Sequence, residues 1–125
     1  MTDAKVWMCN TLKDTNIKDI EKILETIRNR RSQWRLSLRR KNLLGLAALG
    51  IDEDIAFDVI YQNLKYQDYV SGPEADNKGV PGNVWIFGLN ISDVLCYLKF
   101  QDKPSGIVMW ISLHPAEYPL TFPYK

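Results

Sequence analysis

The stretch Val94-Leu95-Cys96-Tyr97-Leu98-Lys99-Phe100-Gln101 decides the reading of the fold. Successive side chains of a strand point to opposite faces, so Cys96, Leu98 and Phe100 fall on one side and Tyr97 and Lys99 on the other. An apolar face backed by a phenol and an amine predicts a strand that is half core and half surface. Val84 to Gly88 before it and Ile107 to His114 after it are strand-like too. The links Leu89-Asn90-Ile91-Ser92-Asp93 and Asp102-Lys103-Pro104-Ser105-Gly106 carry hairpin-type turn residues. Three strands with short links predict an antiparallel meander over residues 84–125. Pro115, Pro119 and Pro123 preclude a further central strand, so the tail is expected to run extended with its aromatics across the sheet.

Upstream the period changes. Ile17, Ile20, Leu24, Ile27 and Arg31 step by three or four, which predicts a helix from Ile17 to about Arg31. Asn16 stands at its N-cap, with Asp19 three residues on to accept from the helix start. Trp34, Leu36 and Leu38 alternate with Arg35, Ser37 and Arg39, the mark of a short strand. Asn42 is positioned to cap a second helix ended by Gly50. Asp52 can cap a third, carrying Ile55, Ala56, Val59, Ile60 and Leu64 inward. Val6-Trp7-Met8-Cys9 suits either a strand or the approach to a helix. Residues 1–66 are thus mainly helical, and 67–83, rich in turn residues from Ser71 to Gly82, read as a long loop. Loops of that length in a small domain are usually functional or disordered.

The whole is an α+β single domain, 1–125, in which a small C-terminal antiparallel sheet packs against N-terminal helices. A chain of 125 residues is the size one hydrophobic core serves, and no internal repeat divides it. No apolar run approaches a membrane span, and Met1 to Lys5 lack a signal-peptide pattern. Two cysteines, Cys9 and Cys96, lie far apart without metal-ligand spacing. A reduced, cytoplasmic protein without a disulfide, metal or cofactor is the expectation.

The net charge of +1 conceals a segregation. Arg28, Arg30, Arg31, Arg35, Arg39, Arg40 and Lys41 follow one another with no acid between them. Asp52, Glu53, Asp54, Asp58, Asp68, Glu74 and Asp76 follow with a single base, Lys65. Local field rather than net charge is what a phosphate feels, and the guanidinium fork fits phosphate oxygens. Two solvated faces would carry the same pattern. Nucleotide-binding glycine loops and the Gly-x-Ser-x-Gly elbow are absent, and Glu74-x-Asp76 is a weak metal signal.

What remains are residue types suited to RNA. Metal-free cleavage needs a base for the 2′-hydroxyl, positive charge for the crowded phosphate and a proton for the leaving oxygen. Lys99 supplies charge, and His114, the only histidine, is the natural general acid–base. Tyr97 lies two residues from Lys99. Tyr69, Trp85 and Tyr97 are candidate stacking rings, with Arg39, Arg40 and Lys41 for the backbone. Whether His114 shares a face with Tyr97 and Lys99 depends on hairpin register, which a one-residue slip reverses.

The ordered set Leu49-Gly50-Ile51, Val59-Ile60, Asp68-Tyr69, Ser71-Gly72-Pro73-Glu74, Asp76, Pro81-Gly82-Asn83-Val84-Trp85-Ile86-Phe87-Gly88, Tyr97-Leu98-Lys99 and Ile111-Ser112-Leu113-His114-Pro115-Ala116-Glu117-Tyr118-Pro119-Leu120 resembles the MqsR-like toxins of bacterial toxin–antitoxin pairs. Arg39-Arg40-Lys41-Asn42 fits as well, and the resemblance covers roughly residues 35–125. It implies a fold related to the RelE-like ribonuclease toxins. It further implies metal-independent endonucleolytic cleavage of mRNA, with or without the ribosome, and neutralisation by a cognate antitoxin. Matched position by position, Tyr97 and Lys99 take the places of the family's strand Tyr and Lys. Ser71 stands where a Lys precedes Gly-Pro-Glu, and a Gln of better-known members falls near Ile86. The segment from His114 to Pro119 has no counterpart in the short members. These departures imply either that His114 takes over the work of the Lys and Gln or that activity is lost.

Three functions fit: a ribonuclease toxin, a catalytically silent module of the same fold that binds RNA or protein, and an interaction subunit whose basic stretch docks an acidic partner. Convergence of His114 with Lys99 separates the first from the second. A steep salt dependence of RNA affinity separates the second from the third.

Overall fold

The computed structural model describes residues 15–125. The segment Val6–Cys9, with its strand-or-helix reading, lies outside them. Among the described residues three helices, α1 (Ile17–Arg28), α2 (Arg40–Leu49) and α3 (Glu53–Asn63), accompany five strands. The strands are β1 (Trp34–Leu36), β2 (Tyr69–Glu74), β3 (Asn83–Ile91), β4 (Val94–Asp102) and β5 (Val108–Pro115). They form one sheet in the order β1-β5-β4-β3-β2. The α+β class and the C-terminal meander of β3, β4 and β5 are as the periodicities predict. None of the described helices is long and apolar enough to cross a membrane.

Helix ends follow the capping residues in two of three cases. Asn16 caps α1, its side chain accepting from the Asp19 amide at 2.9 Å; the bond ends on Asn16 rather than on the Asp19 carboxylate. α1 stops at Arg28, and Arg31 opens a 3₁₀ turn instead of extending the helix. Asp52 caps α3 by accepting from Ile55 N at 2.9 Å. Ala56, Phe57 and Ile60 turn inward, whereas Ile55, expected inside, is exposed. Gly50 ends α2 in the left-handed conformation at φ 71°, a backbone state glycine adopts without steric cost.

The expected cap of α2 is a correction. Arg39 holds the N-cap position, and Asn42 sits in the first turn, fully buried. Its Nδ2 donates to Ser37 O at 2.8 Å and Ile111 O at 3.0 Å, and its Oδ1 accepts from Leu113 N at 2.9 Å. β1 pairs with β5 only from Val108 to Trp110. Past that point the edge of β5 would be left with bare backbone groups, which are costly when buried. The Asn42 amide takes over the ladder there and fastens α2 to the strand. Gly45 completes the fit, since a Cβ at that position would lie 2.7 Å from His114 Cβ.

Two further expectations change. The sheet is mixed, because β1 runs parallel to β5 while every other pair is antiparallel. Residues 67–83 are not one loop: a 3₁₀ turn at Tyr66–Asp68 leads into edge strand β2, leaving 75–82 as the loop. The ladder between β2 and β3 shifts register twice, around Ser71 and before Glu74. Such shifts destroy the period of two, which is why the segment reads as loop. Gly72 lies between them at φ 110°, with Val84 O where a Cβ would go, 2.7 Å away.

The core sits between one sheet face and helices α1 and α3. Ile20, Ile23, Leu24 and Ile27 of α1 and Phe57 and Ile60 of α3 join Phe87, Cys96, Leu98, Phe100, Trp110 and Leu113 in one cluster. Trp110 is its centre, with ring centroids 4.9 Å from Trp34 and 5.1 Å from Phe100. Full burial of a side chain of this kind contributes roughly 1.5–3 kcal/mol, so the helices are held to this face and the other is left for different use.

Candidate functional site

The face turned away from α1 and α3 is fixed by two registers. β3 and β4 meet in a two-residue turn, Ser92-Asp93, both at positive φ (52° and 63°), the backbone a tight hairpin of matching twist requires. That turn sets Gly88 opposite Tyr97 and Ile86 opposite Lys99. Between β4 and β5, Tyr97 faces His114 and Lys99 faces Ser112. Two rows therefore cross the strands side by side, Gly88–Tyr97–His114 and Ile86–Lys99–Ser112. Ser71 of β2 extends the second row, being paired with Ile86.

A bulge makes this possible. The β4–β5 ladder shifts between Lys99 and Phe100, where Phe100 pairs with Trp110, leaving Ile111 as an extra residue. Strict alternation would keep Trp110, Ser112 and His114 on one face. The extra residue reverses parity, so Trp110 enters the core while Ser112 and His114 join Tyr97 and Lys99.

Tyr97, Lys99, Ser112 and His114 floor a cavity of ≈ 410 Å³. Arg39 and Lys41 at the start of α2 form one wall, and Glu117, Tyr118 and Leu120 of the tail form the other. The tail is anchored on both sides of it. Ala116 N donates to Leu95 O at 2.9 Å, and Leu120 and Phe122 cover Gly88 so closely that a Cβ there would sit 2.8 Å from each. At the other end of the face, Gln101 Nε2 donates to Val80 O (3.1 Å) and Gly82 O (3.0 Å), tying down the 75–82 loop. The groove opens between these two covers.

Its charge is predominantly positive. Arg39 Nη1 donates to Ile111 O at 3.1 Å and Ser112 Oγ at 3.2 Å, which aims the guanidinium at the second row and, among the described residues, leaves other N–H groups without a partner. Lys41 Nζ pairs with Glu117 at 3.0 Å across the mouth. Among the described residues no carboxylate lies within ion-pair distance of Lys99. The ammonium has no counter-charge there to release before meeting an anion.

His114 is buried, with its ring stacked on Tyr97 at a centroid distance of 5.6 Å. Its Nδ1 lies 2.9 Å from Pro115 O. A carbonyl oxygen only accepts, so this contact places a proton on Nδ1 and leaves Nε2 as the ring nitrogen available for proton transfer. Burial raises the Tyr97 phenol above its ordinary pKa; Glu74 pushes the same way and Arg39 opposes. The phenol thus stays protonated and able to donate.

Lys99, His114, Tyr97, Arg39 and Lys41 of the sequence candidates come together here, and Arg40 lies exposed beside them. Tyr69 and Trp85 do not. Both are core residues, 6% exposed each. Trp85 pairs with Phe100 and so faces inward, and Tyr69 packs edge-on against Trp85 and Phe87. Neither ring offers a face to a base. Ser112, Glu117, Tyr118 and Leu120 went unselected by sequence reasoning; only the bulge and the course of the tail bring them in.

The basic run divides. Arg28 donates to Tyr61 O and Leu64 O, Arg30 pairs with Asp102 at 2.8 Å, and Arg31 pairs with Asp58 at 3.2 Å while lying over Trp34. These three brace the helical side. The acidic run is structural in large part: Asp52 caps α3, Asp68 accepts from Lys65 N at 2.9 Å, and Asp76 accepts from Lys78 N at 2.8 Å. Among the described residues no three His, Cys, Asp or Glu side chains gather as a metal site would require. Compared with protein-family models, curated proteins and solved structures, the chain finds no match.

Proposed function

We propose that the chain is a metal-independent endoribonuclease acting on mRNA, the toxin of a bacterial toxin–antitoxin pair, working in the cytoplasm and built on a RelE-like variant of the α+β fold. The observation that carries this reading is the β4–β5 register, which brings Tyr97, Lys99 and His114 onto one face beside Arg39. Support also comes from the positions where the family resemblance implies a Lys and a Gln. Ser71 and Ile86 occupy the same row as Lys99, so both departures from the resemblance fall beside the side chains to which the reading assigns the chemistry.

The chemistry follows from the groups present. His114 Nε2 takes the proton of a 2′-hydroxyl, and the 2′-oxygen attacks phosphorus to give a 2′,3′-cyclic phosphate. Lys99 and Arg39 stabilise the charge that gathers on the non-bridging oxygens. The departing 5′-oxygen, far more basic than a phenolate, takes its proton from Tyr97. The imidazolium then returns a proton to Tyr97 through solvent, and both groups are restored. A cognate antitoxin would silence the site most directly by covering Arg39 and Arg40 with acidic side chains.

The test incubates the protein with an mRNA in EDTA beside Lys99→Ala, His114→Ala and Tyr97→Phe, and maps the ends. Discrete cuts bearing 2′,3′-cyclic phosphate, reduced by ~10²–10⁴-fold on loss of an acid–base group, are expected. Cuts that persist in all three variants would remove the site and keep the enzyme. No cuts with or without ribosomes, together with salt-sensitive RNA binding, would establish the silent binding module, a reading the burial of His114 favours.

A further inference from the structure

Among the described residues Tyr118 is 78% exposed, far more than the other large apolar and aromatic side chains apart from Leu38. Its surroundings give that exposure meaning. Tyr118 lines the same cavity as Lys99, His114, Arg39 and Lys41. The strap that carries it is held before and after: Ala116 N bonds Leu95 O, and Leu120 and Phe122 seat against Gly88. Pro115 and Pro119 on either side fix φ and narrow the backbone's freedom. A large ring is thus presented to water from a restrained backbone, at the lip of a cationic groove.

We infer that Tyr118 is the base platform of this site, stacking on one face of an unpaired nucleobase while Lys99 and Arg39 hold the adjoining phosphate. The inference rests on the RNA reading above and narrows it to single-stranded RNA. In a duplex both faces of a base are covered by its neighbours, so a ring at the groove's lip has nothing to stack on. Every base has a π-face, so the platform requires a base without selecting which one. Tyr118 replaces Tyr69 and Trp85 as the stacking element, and it does so from a segment that lies outside the strands.

The experiment measures fluorescence anisotropy of three labelled ligands of equal length: a single-stranded RNA, its duplex, and a strand whose central nucleotides are abasic. The protein is used unaltered and as Tyr118→Ala and Tyr118→Trp. At such exposure neither substitution disturbs the core. The native chain should prefer the intact single strand. Tyr118→Ala should lose on the order of tenfold for that strand and nothing for the abasic one, and Tyr118→Trp should retain the affinity. Equal loss on the intact and abasic strands, or no loss on either, would overturn the platform while leaving RNA binding in place. Absence of RNA binding by the native chain would overturn the RNA reading itself, and the inference with it.

Discussion

Replacing Asn42 tests the join between helix and sheet on which the groove depends. Its side chain makes three hydrogen bonds at 0% exposure, two from Nδ2 and one to Oδ1. A bond of this kind contributes about 0.5–1.5 kcal/mol net, and a buried N–H left without a partner costs about 1–3 kcal/mol. Asn42→Ala removes all three bonds and strands the Leu113 amide, so a loss of about 3 kcal/mol is expected. That is a large share of the ~5–15 kcal/mol typical of a domain. Asn42→Asp is nearly isosteric and sharper. One oxygen still accepts from Leu113 N, but the other meets two carbonyl oxygens, and a buried carboxylate is added. At neutral pH it should be less stable than the alanine variant. Burial raises the folded pKa of this aspartate above its unfolded value near 3.9. Its protonated form, able to donate to one carbonyl, therefore retains stability at low pH, and that stability is lost as pH rises through the folded pKa. Urea unfolding followed by the fluorescence of buried Trp34 and Trp110 measures both variants at pH 4.5 and 7. An alanine variant within 0.5 kcal/mol of the parent, or an aspartate variant more stable than alanine at pH 7, would refute the account of this joint.

Three other outcomes follow from geometry. Gly72→Ala should cost about 1–3 kcal/mol, because the residue stands at φ 110° and its new Cβ would meet Val84 O; thermal melts decide it, and an unchanged midpoint would contradict the strain. Burial pushes the Cys96 thiol up to about 11, above an unfolded value near 8.5. Folding thus favours the protonated thiol, and stability should be intact below the unfolded value and fall as pH rises through the folded one. Cys96→Ala should flatten that alkaline decline in urea titrations without abolishing it, since buried Tyr69 and half-buried Tyr97 are shifted in the same direction; an identical slope would exclude the thiol as a contributor. Glu117→Gln breaks an exposed ion pair with Lys41, worth at most about 1 kcal/mol. The melt should barely move, while RNA affinity rises and its log–log salt slope steepens by about 0.7, one more phosphate contact; an unchanged slope would show that Lys41 stays away from the backbone.

Helix α3, the Asn16 and Asp52 caps and strands β3, β4 and β5 were legible because each is set by residues within one or two turns of it. β2 was not, since Ser71-Gly72-Pro73 spells a turn locally and becomes strand only through pairing with β3. The parallel join of β1 to β5 links residues about seventy positions apart, beyond the reach of any local period. Trp85 was within reach. With Ser92-Asp93 as a two-residue turn, the pairing of Ile91 with Val94 counts back to Trp85 opposite Phe100, inside. Non-glycine residues at positive φ hid that turn. His114 was beyond reach, because Ile111 breaks the parity by which its face would be counted.

The two margins of the sheet bear on how this chain keeps company with its own copies. A free strand edge invites another chain to add itself, and long flat edges are the hazard. Here one margin is β1, three residues long, and the rest of that side is closed by the Asn42 amide. The other is β2, whose ladder is stepped twice and carries Pro73, a residue with no N–H to offer. Among the described residues an incoming strand finds no run of evenly spaced partners on either side. A cationic, tyrosine-lipped face can therefore stand open in solution while the edges beside it resist sheet-to-sheet growth.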